Sequence, residues 1–270
     1  MSDDPARHLT VESRKLIHAL WDELAHFSAA DADAACKHLM HTLGGWVGAD
    51  NAAWIGAARI LDLADARIDP LVGWRTKAIL FLHPPQPNEL LLVKQALRGR
   101  IEEPGMTTAA MARLAGTFRV HRLRDGFVDW AAFKTTPHYF AYYRQLGIDD
   151  RIWVGSPISS DAESFFIFDK RETKSRFTKR HAALAGYAIR GLAWLNIRLM
   201  CSHGLSLVES PLTEMERRVT RLLLSDKSEK EIAASLEQSP HTTHGHIKEI
   251  YRKFGTQGRA GLMAIWLSNR

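Results

Sequence analysis

Cysteine is nearly absent from this chain: Cys36 and Cys201 are the two among 270 residues. That excludes a disulfide framework and a four-thiolate zinc site, and it fits a reducing, cytoplasmic setting. Long apolar runs are missing too. The most apolar long window, 182–200, still carries Arg190, Asn196 and Arg198, whereas a bilayer span needs about 20 nearly uncharged residues. The start is polar (Ser2, Asp3, Asp4), without the charged-then-apolar pattern of a secretory leader. No membrane partner is therefore expected.

Catalytic signatures are equally scarce. The sequence has no Gly-x-Ser-x-Gly and no His-Glu-x-x-His, and Gly44-Gly45 with Gly48 lacks both the lysine of a phosphate loop and the dinucleotide fingerprint. Asp149-Asp150 and Asp161 with Glu163 read as solvated turn residues. An enzyme is not expected, nor a cofactor. No internal repeat or low-complexity tract stands out.

What is present is an ordinary globular composition, 46% hydrophobic and 24% charged, long enough for two domains. The net charge of +6 favours polyanions only in general terms. Position has to carry any nucleic-acid argument.

Helical spacing of Leu16, Leu20, Leu24 and Phe27, then of Leu39, Leu43 and Trp46, predicts two opening helices. Strands are predicted over 51–61 and 75–82, separated by a turn at Asp69-Pro70, with a helix from Asn88 to about Gly99. A strand over 117–123 and a short aromatic helix after Thr136-Pro137 come next. Residues 151–158 and 163–169 form a hairpin. One long helix, about 178–200, closes this part with a stripe of Leu184, Ala188, Leu192, Leu195 and Leu199. The expected fold is α+β over 1–204, a linker at 205–210, and an all-α module over 211–270.

The module is written in capping chemistry. Thr213 with Glu216, and Ser228 with Glu231, are capping boxes, each closing two free amides of a first turn. Ser239-Pro240 opens a third helix, proline at the first helical position having no N–H to leave unpaired. This helix runs to about Phe254 and stops at Gly255. A fourth carries Leu262, Ile265 and Trp266. Two short-linked helices, the second polar along one side, make a helix-turn-helix. The polar side shows His241, Thr242, His244, His246, Lys248, Arg252 and Lys253, the residue types that phosphates and groove edges reward. The three histidines lie on one helix without a fourth ligand, so no metal is expected.

Leu212-Thr213-x-x-Glu216, Ser228-x-Lys230-Glu231-Ile232-Ala233-x-x-Leu236, Ser239-Pro240-x-Thr242, His246-x-x-x-Ile250-Tyr251-x-Lys253-Phe254-Gly255 and Arg259-Ala260 together resemble the LuxR/FixJ-type DNA-binding domain. The resemblance implies four helices, with the third in the major groove of double-stranded DNA and the fourth serving dimerisation. By position it places His244, Gly245 and Lys248 nearest base edges. Lys230, Thr242, His246, Lys253 and Arg259 hold phosphates or brace the fold. This chain departs at three points. Asp226 replaces a loop glycine, Glu237 replaces the small residue of the central turn and calls for a strained or wider turn, and Gly245 sits inside the reading helix.

The first part has too few strand-helix repeats for a phosphorylated receiver. Its element order resembles the GAF/PAS-type sensory domains joined to such modules, an antiparallel sheet with flanking helices enclosing a small molecule. Candidate wall residues are Trp54, Trp74, Trp130, Tyr139, Tyr142, Trp153 and Phe166, each equally able to serve as plain core. The expectation is a homodimeric regulator answering to a small-molecule effector. Two alternatives stay open: an acyl-homoserine-lactone receptor, for which Asp69-Pro70 and Trp74 speak, and a dimer that needs no ligand. The long helix ending near Met200 and the last helix are the candidate dimer surfaces.

Overall fold

A computed structural model describes residues 9–60, 69–98, 106–171, 175–205 and 212–267. The elements of the first part are α1 (Val11–Ala25), α2 (Ala32–Val47), β1 (Asn51–Arg59), β2 (Trp74–Phe81), α3 (Pro87–Arg98), α4 (Met106–Arg113), β3 (Arg119–Arg122), α5 (Trp130–Phe133), β4 (Ile148–Ser159), β5 (Ala162–Arg171), α6 (Lys179–Arg190) and α7 (Ala193–Ser202). The second part is α8 (Glu214–Leu223), α9 (Glu229–Ser235), α10 (Pro240–Lys253) and α11 (Arg259–Leu267). Strand order is β2-β1-β5-β4-β3, antiparallel throughout. The fold is the expected one: an antiparallel α+β part followed by four helices. Of the expected linker only Leu205 is described, and the Ser2-Asp3-Asp4 opening lies outside the described residues.

Alternation along the strands sorts the sheet into two unlike faces. Trp54 lies opposite Phe166, and Phe166 opposite Val154. All three point to the face covered by α1, α2, α6 and α7, where they join Leu39, Leu43, Leu195 and Leu199 in one closed core. One residue along, Ala53 faces Ile167 and Ile167 faces Trp153, and these point the other way. That second face is covered by residues of α3, α4 and α5 and by a wide turn at 139–144 that carries Tyr139, Tyr142 and Tyr143.

Several elements differ from expectation, each for a local reason. The predicted long helix is broken at Gly191. The Trp21 indole N–H donates to the Ala188 carbonyl at 2.9 Å, the acceptor an unbroken helix would give to Leu192. Leu192 N–H bonds Ile189 instead, and a Cβ at Gly191 would come within 2.2 Å of the Trp21 ring. In α1 the inward face is Ser13, Ile17, Leu20 and Leu24, so Leu16, assigned to the stripe from spacing, is 50% exposed. α4 and α5 were not expected; Asp129 caps α5, accepting from Ala131 and Ala132 N–H. Asp150 and Glu163 are buried rather than solvated, because Phe177 and Arg151 N–H bond the first and Arg119 forks onto the second.

The two parts meet at a shared carboxylate. Asp33 of α2 accepts from Arg217 of α8 at 2.6 Å and pairs with His203, just past α7, at 3.0 Å. Burial works to raise its pKa, but His203, Arg217 and Arg221 outweigh it and hold Asp33 below the ordinary carboxylate value. The His203 ring in turn packs at a tilt against Trp54 of the closed core, 4.8 Å between centroids.

Candidate DNA-binding face and candidate ligand pocket

All three caps read from the sequence are formed: Thr213 with Glu216, Ser228 with Glu231, and Ser239 accepting from Thr242 N–H behind Pro240. The caps fix where each helix begins. An apolar wedge of Val219, Leu223, Ile232, Ile247, Ile250 and Leu262 then fixes how they cross. The central turn goes through Glu237 at φ +53, left-handed backbone that a non-glycine residue adopts at a cost; this is the strained turn its side chain called for. Gly255 ends α10 at φ +60, as expected.

The α10 surface away from this wedge exposes His241, Thr242, His244, Gly245 and Lys248, with His246 half-buried and Lys230 of α9 exposed beside them. No heavy atom lies within 4 Å of where a Gly245 side chain would start, so the strip has open backbone at its middle. Two of the eight candidates are turned inward. Lys253 donates to Glu216 at 2.7 Å with both side chains buried, which braces α10 against the start of α8. Burial would raise the Glu216 pKa, but Lys253 and the Thr213 bonds hold it low. Arg259 donates to the Lys227 carbonyl at 2.6 Å and pins the loop before α9. Spacing also missed one acid on this face: Glu229 of α9 pairs with His244 at 3.0 Å.

On the second sheet face lies a cavity of about 150 Å³. Of the seven aromatic candidates, Trp74, Tyr142 and Trp153 line it. Trp54 and Phe166 do not, because their register parity turns them into the closed core. Trp130 and Tyr139 pack against Phe133 behind the cavity, with the Arg124 guanidinium over the Trp130 ring. Ile55, Ile79, Val93, Met111 and Ile167 supply the apolar middle.

Polar groups sit at both ends. At one, Arg151 forks onto Asp169 and donates to the Tyr143 hydroxyl, which donates to Thr107. Burial pushes the Tyr143 pKa up to about 12, and burial followed by the Arg151 charge pushes His138 down to about 4. At the other end stand Trp74 and Arg75. Asp69 anchors the turn before β2, accepting from Leu71 and Gly73 N–H and from Arg75. Burial would raise its pKa, but those bonds hold it low. The sequence reading missed Arg75, Arg151 and Tyr143. Arg151 was within reach, since the predicted hairpin sets it across from Asp169.

Among the described residues no helix is long and apolar enough to cross a membrane, and no three His, Cys, Asp or Glu gather as metal ligands.

A capped helix pair presenting an exposed polar helix with a basic centre defines a helix-turn-helix DNA-binding module. Residues 210–265 match the family described as GerE, bacterial regulatory proteins of the luxR family; the C-terminal part of this chain is a LuxR-family helix-turn-helix domain. It is 45% identical over 49 residues to the spore germination protein GerE of Bacillus subtilis (strain 168), a match spanning 18% of this chain and 66% of that protein. Among solved structures, SdiA in complex with octanoyl-rac-glycerol is similar at 13% identity and TM-score 0.48, over 95% of both chains. Escherichia coli SdiA is similar at 12% and 0.49, over 93% of this chain and 95% of its own. The VqsR LBD domain from Pseudomonas aeruginosa is similar at 17% and 0.48, over 68% of this chain and 96% of its own.

Proposed function

We propose that the chain is a cytoplasmic, homodimeric transcription regulator whose binding to double-stranded DNA is modulated by a small molecule held on the open face of the sheet. It is not an enzyme in this reading. Residues 1–204 are the sensory part, 205–210 the linker and 211–270 the DNA-binding part. The observation that carries the reading is the joining, in one chain, of a LuxR-family domain to a cavity of about 150 Å³ with an apolar middle. A domain that only joined protomers would have no use for such a space, since interiors otherwise close to near-crystalline density.

In this reading α10 lies in the major groove, with His244, Gly245 and Lys248 toward base edges, and Lys230, Thr242 and His246 toward phosphates. Lys253 and Arg259 set the angle of α10 from behind. A dimer would use α11, where Met263 is 36% exposed, rather than the Leu192, Leu195 and Leu199 stripe, which is spent on the protomer's own core.

Native mass spectrometry of the purified chain, beside a denatured control, tests the sensory half; a retained small molecule supports it, and a dimer that takes up none on screening rejects it. Replacing Lys230 with alanine tests the DNA half. Binding should weaken on every sequence and the salt slope should fall by about one unit; an unchanged slope removes Lys230 from the phosphate contacts. Lys248→Ala should instead relax preference among sequences by roughly 1–3 kcal/mol at one position without unfolding the protein.

A further inference from the structure

Glu229, the first residue of α9, carries the wrong sign for a surface that is to meet phosphates. The helix does not need it as a cap, because the Ser228 N–H and hydroxyl both donate to Glu231. An exposed ion pair also adds little to stability. What Glu229 does is hold one ring. Its Oε2 lies 3.0 Å from Nδ1 of His244, and both side chains are about half exposed.

An ionised carboxylate accepts hydrogen bonds and donates none. Nδ1 of His244 therefore carries the proton of this contact. The other ring nitrogen, Nε2, faces away from Glu229 with no partner among the described residues. A neutral imidazole has two tautomers, and Glu229 selects one of them. Nε2 is then a bare acceptor while the ring is neutral and an N–H donor once it is charged. Neighbouring Gly245 brings no side chain to stand in front of it.

The major groove tells these two states apart. Adenine and cytosine present an amino group there, guanine and thymine carbonyl oxygens. Imidazole is also the side chain that changes charge between about pH 5 and 8. The charged and titratable groups on the elements around it are Glu229 and Lys230 of α9, Glu216 of α8, bonded to Lys253, and Arg259 of α11, bonded to Tyr251. On α10 itself His241 and Lys248 stand one turn to either side. Of these only Glu229 bonds the ring.

We infer that Glu229 is a positioning residue for base reading. It presents Nε2 of His244 to one base: adenine or cytosine while the ring is neutral, guanine or thymine once the ring is charged. The inference rests on the proposed placement of His244 at a base edge.

The test is selection from a randomised duplex pool by the full chain at about pH 8 and about pH 5.5. One position of the selected site should change from adenine or cytosine to guanine or thymine, its preference ratio moving roughly fivefold. A ratio between sequences is unaffected by loss of some folded protein in acid. Glu229→Gln keeps the shape, but its amide can accept from Nδ1–H or donate to Nδ1, so both tautomers open. That variant should bind every sequence more tightly, having lost a negative charge, while the change with pH at the one position shrinks to within about twofold. His244→Ala should erase the preference there. The same preference at both pH values, or a full change surviving Glu229→Gln, overturns the inference and leaves the DNA-binding reading standing. A selected site unaltered by His244→Ala removes His244 from the base edge, and the inference with it. A pool that yields no selected site refutes both readings.

Discussion

The same five strands make two interiors. On one side Trp54, Phe166 and Phe168 are shut among four helices, with 0%, 1% and 0% of their surface exposed. On the other, residues one position along, Ala53, Ile167 and Trp153, border a cavity. The difference comes less from hydrophobicity than from what covers each face. Four helices, α1, α2, α6 and α7, close the first; α3, the eight-residue α4 and the wide aromatic turn arch over the second. A sheet with small Ala53 and Ala57 under an arch of rings leaves room, and the same strands under four closely packed helices do not.

Trp54→Ala should separate the two faces most sharply. It empties a fully buried site and removes the N–H that bonds Ser164, which itself bonds Asn196. The expected loss is about 3–5 kcal/mol by denaturant unfolding. A loss under about 1 kcal/mol would mean the face is not closed.

Next in size is the acid sensitivity of the open face. His138 has a folded pKa of about 4 against an ordinary 6.5, through burial and then Arg151. Its neutral form is the one the fold accepts, so its contribution is complete above pH 6.5 and is lost as pH falls toward 4. By pH 5 the loss should approach roughly 2 kcal/mol. His138→Phe should flatten the stability profile between pH 6.5 and 5; an unchanged slope would put the sensitivity elsewhere.

The smallest effect on stability is expected from filling the open face. Ala53→Leu adds its side chain to empty space and should leave stability within about 1 kcal/mol of the parent, while abolishing uptake of any apolar probe. Overpacking a closed interior typically costs about 1–3 kcal/mol. A loss at the top of that range would show the second face to be as full as the first.

Element types were mostly legible in the sequence, because caps and turns are local. Thr213, Ser228, Ser239 and Gly255 each declare a boundary within a few residues, and each boundary holds. The strained turn at Glu237 was legible for the same reason. The fate of the aromatics was not. Whether Trp54 or Trp153 borders a cavity turns on strand parity and register, which a list of rings does not contain. The inward turn of Lys253 depends on Glu216, 37 residues earlier, a pairing that helical periodicity alone does not reveal. The break at Gly191 was invisible because its cause, Trp21, lies on the first helix.

That break also decides how stiffness is distributed. A single rod from 178 to 202 would swing as one lever, carrying any tilt at its start straight to its end. Cut at Gly191, it becomes two short beams with a joint between them, the joint clamped by one indole. The outer beam, α6, is seated on α1 through Trp21; the inner beam, α7, runs on to His203 and the carboxylate it shares with Arg217. Bending at the joint lets the inner beam lie at its own angle, so the DNA-binding part is seated where the end of α7 meets Asp33 of α2 and not at the tip of one rigid rod.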